Sequence, residues 1–110
     1  MKLTVTDAAG YQQTVLVNGQ ESITDHSGVL PSNIAQTVLA ANNLRSGFFI
    51  QNLSSVNSMW FNEIGTATNG AGSIKLLPNA FISTNSGFPL STGALSLIGT
   101  SGDSYTLREW

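Results

Sequence analysis

The chain has 110 residues, enough for one domain around one hydrophobic core, and its 41% hydrophobic content excludes wholesale disorder. Only 9% of the residues are charged, against roughly 25% in an ordinary soluble domain, and Ser, Thr, Asn and Gly fill the polar positions instead. The four basic residues (Lys2, Arg45, Lys75, Arg108) are scattered and the net charge is −2, which excludes a phosphate-tracking surface; with no cysteine, disulfides and thiolate metal sites are excluded too.

Lys2 to Thr6 alternates polar and apolar residues, with Leu3 and Val5 on one face, as a half-buried strand does. Tyr11 to Val17 is rich in β-formers and closes on Asn18-Gly19, a hairpin-type turn signal. Glu21 to Asn33 carries Asp25, Ser27, Gly28, Pro31 and Ser32 with little apolar periodicity, and reads as a long loop or arm. Ile34 to Ala41 reads as a short helix or a strand, with the Thr37-Val38 pair favouring the strand, and Asn42-Asn43 end it.

The second half is more regular. Phe48-Phe49-Ile50 runs into Gln51-Asn52, and Leu53 to Asn57 makes a turn. Ser58 to Asn62 places Met59 and Phe61 on one face and Trp60 on the other. Gly65 to Gly72 is a hairpin tip containing Asn69-Gly70. Ser73 to Leu77, Ala80 to Ser83, Ala94 to Ile98 and Tyr105 to Trp110 are further strands, separated by Pro78-Asn79, by the Asn85–Thr92 loop and by Gly99-Thr100-Ser101-Gly102. Short strands at intervals of about 8–12 residues are the signature of a sandwich or barrel. The expected organisation is a loosely packed N-terminal arm with strands over 1–33 and a compact β-sandwich over 34–110.

The residues offer little to catalysis. Asp25-His26-Ser27 contains the only histidine, but neighbouring side chains diverge whereas a hydrolytic triad converges from separate places on a scaffold. The six acidic residues (Asp7, Glu21, Asp25, Glu63, Asp103, Glu109) show no paired spacing, and Asn69-Gly70-Ala71-Gly72 lacks the lysine of a phosphate loop. No catalytic, cofactor-binding or metal site is expected. The start of the chain is too polar for a signal-peptide core, and no apolar run approaches the roughly 20 residues that span a bilayer. Synthesis in a cytoplasm follows as an expectation.

Residues 44–110 carry a further pattern. Leu44-Arg45-Ser46-Gly47-Phe48-Phe49-Ile50-Gln51-Asn52-Leu53-Ser54 resembles an opening strand of small structural proteins of tailed bacteriophages. Met59-Trp60-Phe61-Asn62-Glu63, Gly65-Thr66-Ala67-Thr68, Gly72-Ser73-Ile74-Lys75-Leu76 and Pro78 are similar to its next segments. Ala94-Leu95-Ser96-Leu97-Ile98-Gly99 and Tyr105-Thr106-Leu107-Arg108-Glu109-Trp110 are similar to its ending.

That resemblance implies an all-β fold, a single β-sandwich or jelly-roll-like domain with an extended N-terminal arm. It also implies a place in the virion, and by size a capsid decoration (cement) protein on the outer capsid surface, bridging major capsid protein subunits. The expected partners are the major capsid protein and further copies of the chain, with a trimer preferred, and neither nucleic acid nor membrane. The expected interface residues are Phe49, Trp60, Trp110 and, more weakly, Tyr105, with Arg45 and Arg108 pairing acidic capsid loops; Glu21–Asn33 is the expected reaching arm. The alternative is a tail or fibre component in which Tyr11, Trp60, Tyr105 and Trp110 form a platform for a glycan.

Overall fold

The computed structural model describes residues 22–110 together with the strands β1 (Lys2–Thr6) and β2 (Gln12–Leu16). These two strands form an antiparallel hairpin that pairs with no other strand among the described residues, in a register that sets Leu3 opposite Val15 and Thr4 opposite Thr14. The turn expected at Asn18-Gly19 lies outside the described residues, as do Tyr11 and Glu21.

The remaining strands build two antiparallel sheets. One contains β5 (Gln36–Leu39), β7 (Met59–Asn62), β8 (Ile74–Leu76) and β10 (Leu95–Ile98), in the order β5-β10-β7-β8. The other contains β3 (Thr24–Asp25), β6 (Phe48–Asn52), β9 (Phe81–Ser83) and β11 (Ser104–Glu109), in the order β3-β11-β6-β9. A short strand β4 (Gly28–Val29) also pairs with β11. A single 3-10 turn, Thr84–Ser86, follows β9, and among the described residues no helix is long and apolar enough to cross a membrane.

Strand alternation explains the core. Phe48 and Ile50 of β6, Met59 and Phe61 of β7, Leu95 and Leu97 of β10, and Leu107 of β11 are all buried, with Leu39 and Leu76 beside them. Both sheets feed this one cluster, so the arrangement is sandwich-like. Phe88, from the loop after the 3-10 turn, closes it with its ring 6.0 Å from Phe48 and 5.7 Å from Phe61.

Residues 22–33 are not an arm. Leu30 is 1% exposed and belongs to the core. Around it His26 N–H donates to Leu107 O at 2.7 Å, Leu30 N–H to Asp103 O at 2.9 Å, and Ser101 N–H to Asn33 Oδ1 at 2.7 Å. The boundary expected at residue 33 therefore falls inside the folded body. The reason is local: two-residue strands on either side of the Asp25–Ser27 turn show no periodicity, so a segment built from them reads as loop. The strands from β5 onward lie where the sequence places them, within one or two residues at each end.

Candidate functional site

Along β6 and β11 the inward residues alternate with an outward set: Gly47, Phe49 and Gln51 on one side, Thr106, Arg108 and Trp110 on the other. The register places Arg108 opposite Phe49 and, on the far side of β6, Phe81 opposite Gln51. Beyond the last paired residues, Trp110 N–H donates to Gly47 O at 3.1 Å and Gly47 N–H to Trp110 O at 3.1 Å, so Trp110 faces Gly47. A Cβ at position 47 would lie 2.6 Å from Cε2 of the Trp110 indole and 2.6 Å from Thr84 Oγ1. Gly47 is thus bare because the indole lies across its backbone.

Phe49, next along the same face, stacks on Phe81 with ring centroids 5.4 Å apart and planes at 23°. Phe81 is 54% exposed, whereas Phe49 and Trp110 are half-buried. Trp110, Phe49 and Phe81 therefore form an aromatic strip across the outer face of the sheet. Arg108 borders it, with Nε 3.9 Å from Asp25 Oδ1, and both side chains are exposed. Hydrogen bonds from the Ser27 hydroxyl and then the Ser27 N–H hold the Asp25 carboxyl below the usual carboxylate value.

Beneath the Trp110 end of the strip lies a buried polar clasp. Arg45 Nε donates to Glu109 Oε2 at 2.9 Å, with side-chain exposures of 0% and 8%. The other guanidinium nitrogens donate to Ser91 O at 2.8 Å, Gly93 O at 2.9 Å and Ala40 O at 2.7 Å. Asn42 Nδ2 donates to Glu109 Oε1 at 3.0 Å, and His26 Nε2 lies 3.6 Å from that oxygen. Arg45 is therefore a structural cation, and the expectation that it reaches a partner's acidic loop is corrected: its buried side chain gives four of its five N–H groups to a carboxylate and three carbonyls of its own chain.

Trp60 faces outward from β7, on the other sheet, with Lys75 Nζ 5.4 Å from its ring centroid, so it is not part of the strip. Tyr105 packs against the core from the side that carries Leu107, as alternation requires, and its hydroxyl oxygen is 3.0 Å from where a Gly28 Cβ would sit. The structure thus joins Phe49, Arg108 and Trp110 and separates them from Trp60, Tyr105 and Arg45. Trp60, Tyr105 and Trp110 share no face, so no aromatic platform forms from them among the described residues.

The Asp25-His26-Ser27 triplet divides as adjacent residues do. Ser27 Oγ donates to Asp25 Oδ1 at 2.5 Å and accepts Leu107 N–H at 3.0 Å, while the His26 ring turns to Glu109. Among the described residues, no group of three or more His, Asp or Glu side chains could hold a metal ion. The sequence reading missed Phe81, whose place beside Phe49 depends on the β6–β9 register and not on any local signal. It also missed the clasp, whose members are far apart along the chain. Comparison of the chain with protein-family models, with curated proteins and with solved structures gives no match.

Proposed function

We propose that this chain is a non-enzymatic structural virion protein of a tailed bacteriophage that decorates the outside of the capsid and ties neighbouring major capsid subunits together. The observation that carries the reading is the Trp110–Phe49–Phe81 strip, an aromatic surface on a rigid sheet with one ion pair at its margin. Aromatic side chains supply most of the energy of protein interfaces, and low surrounding charge keeps the desolvation cost small. Burying the strip at about 25 cal/mol per Å² gives each copy a modest attraction, and repetition around a shell multiplies it.

Two further features support the reading. The orders β5-β10-β7-β8 and β3-β11-β6-β9, with β4 beside β11, match the strand adjacency of a jelly roll, an architecture common in capsid proteins. Residues 44–110 also carry the phage structural-protein resemblance. In this reading Arg108 pairs acidic capsid loops, the strip seats on the capsomer, and the β1–β2 hairpin takes the reaching role expected of an N-terminal arm. The copies on the shell form a homo-oligomer.

The test is to mix purified protein with capsid shells lacking it, then follow co-sedimentation and resistance of the shells to heat. Saturable binding at a fixed ratio to the major capsid protein, with a raised shell melting temperature, is the expected result. Failure to pellet with shells refutes the reading, and a glycan-array signal lost on mutating exposed aromatics would then establish the receptor-binding alternative.

A further inference from the structure

Each sheet has two edges, and three of the four carry a feature that discourages a further strand. Edge strand β3 carries the exposed Asp25, β8 carries the exposed Lys75, and the pairing of β5 with β10 is interrupted by a register shift. The fourth edge, β9, is Phe81-Ile82-Ser83 and has no charge, proline or shift. Asn52 N–H donates to Ala80 O at 3.0 Å, which makes Ile50 and Ile82 the next hydrogen-bonded pair in that ladder. The peptide groups of Phe81 and Ser83 consequently point away from β6, towards the open edge. A groove of about 400 Å³ runs there, lined by Phe81, Ile82, Ser83, Ser86, Phe88 and Pro89 among others, none of them charged.

The same chain holds an unused donor. The β1–β2 hairpin forms a two-stranded sheet that pairs with no other strand among the described residues. An isolated two-stranded hairpin is marginally stable in water at best. Its ten strand residues include one charge, Lys2, and are otherwise Leu, Val, Thr and Gln. Donor and acceptor are therefore matched in being almost uncharged, and neither resists burial. Chain order points to the partner: the hairpin precedes β3, the strand at the opposite edge of the sheet from β9. A donor strand pair that precedes one edge in the chain and an acceptor at the other edge suit copies laid edge to edge, a heterologous contact that builds a ring or an open chain of copies.

We propose that the free edge of β9 is a strand-addition site, occupied by the β1–β2 hairpin of a second copy of this chain. The ladder continues from β9 onto the incoming strand, and the groove receives its alternate side chains. The added strand widens the sheet that bears the aromatic strip. The contact requires no capsid and stands whether or not the capsid reading holds.

The chain has no cysteine, so the test uses single-cysteine variants of the full chain without shells. Phe81→Cys is mixed in turn with Thr4→Cys, Gln13→Cys and Thr14→Cys under mild oxidation, and non-reducing electrophoresis reads the products. The expected result is a mixed disulfide dimer for at least one hairpin position. Sedimentation velocity of the unmodified chain shows mass rising with concentration, and Phe81→Lys, which puts a charge on the edge, raises the dissociation constant of self-association at least tenfold while the melting transition persists. A monomer at every concentration overturns the proposal. So does association that Phe81→Lys leaves unchanged, or association without any mixed disulfide, since either places the contact elsewhere.

Discussion

Arg45 and Glu109, 64 residues apart in sequence, meet at 2.9 Å with both side chains buried. The pair joins the segment before β6 to the end of β11, and through Ser91 O and Gly93 O it also fixes the approach to β10. A buried ion pair is not a large net stabiliser, because two charges must be desolvated. Breaking one is costly, since the remaining charge is left inside. Arg45→Ala should therefore destabilise the fold by about 3 kcal/mol or more, lowering Tm by roughly 10 °C or more. The double variant Arg45→Met/Glu109→Leu should regain part of that loss and not all of it, because the Ala40, Ser91 and Gly93 carbonyls still lose their donor. Thermal melts of the three proteins measure both effects.

Gly47 is needed for what covers it. A Cβ there would overlap the Trp110 ring at 2.6 Å, and Gly47→Ala should cost about 1–3 kcal/mol through the displacement of that ring. Tryptophan fluorescence reports the change: the variant's emission should shift towards that of a solvated indole, with no such shift in the control variant Trp110→Phe/Gly47→Ala.

Two titrations should shape the pH dependence of stability at opposite limits. Burial raises the Tyr105 hydroxyl above its ordinary value of 10.0. Its contribution is fully present below that value and is lost as pH rises through the folded-state pKa. Tyr105→Phe should therefore flatten the alkaline limb of a stability–pH curve. Asp25 acts in the reverse sense: its carboxyl is lowered from 3.8 by the two Ser27 hydrogen bonds, so its contribution is present above 3.8 and lost as pH falls through the lowered value. Asp25→Asn should flatten the acid limb slightly, as suits an exposed group.

How much of this was readable in the residues follows from the range of each signal. The inward positions of β6, β7 and β11 follow from period-two alternation, so Ile50, Met59, Phe61 and Leu107 are legible as core and Phe49 and Trp60 as outward. Local alternation says nothing about which outward residues share a face. Trp60 and Trp110 look equivalent along the chain, yet they sit on different sheets because β7 pairs with β10 and β11 pairs with β6. Arg45 looks like a surface cation for the same reason: its carboxylate partner arrives only once β11 closes beside β6. The 22–33 segment hides its docking because a single inward residue, Leu30, anchors it.

The proposed capsid contact separates the two tryptophans in a way that stability cannot. Trp60 lies off the strip and is covered by Lys75, so Trp60→Ser should leave shell occupancy unchanged. Loss of binding by Trp60→Ser would move the contact to the opposite sheet.

The most direct measurement is shell occupancy by Phe49→Ser against the unmodified chain, with the melting temperature of each free protein determined alongside. Phe49 is at the centre of the strip and half-buried, so the variant should stay folded while its affinity for shells falls at least tenfold, about 1.4 kcal/mol. A folded Phe49→Ser that fills the shells at unchanged concentration would contradict the assignment of this face as the interface.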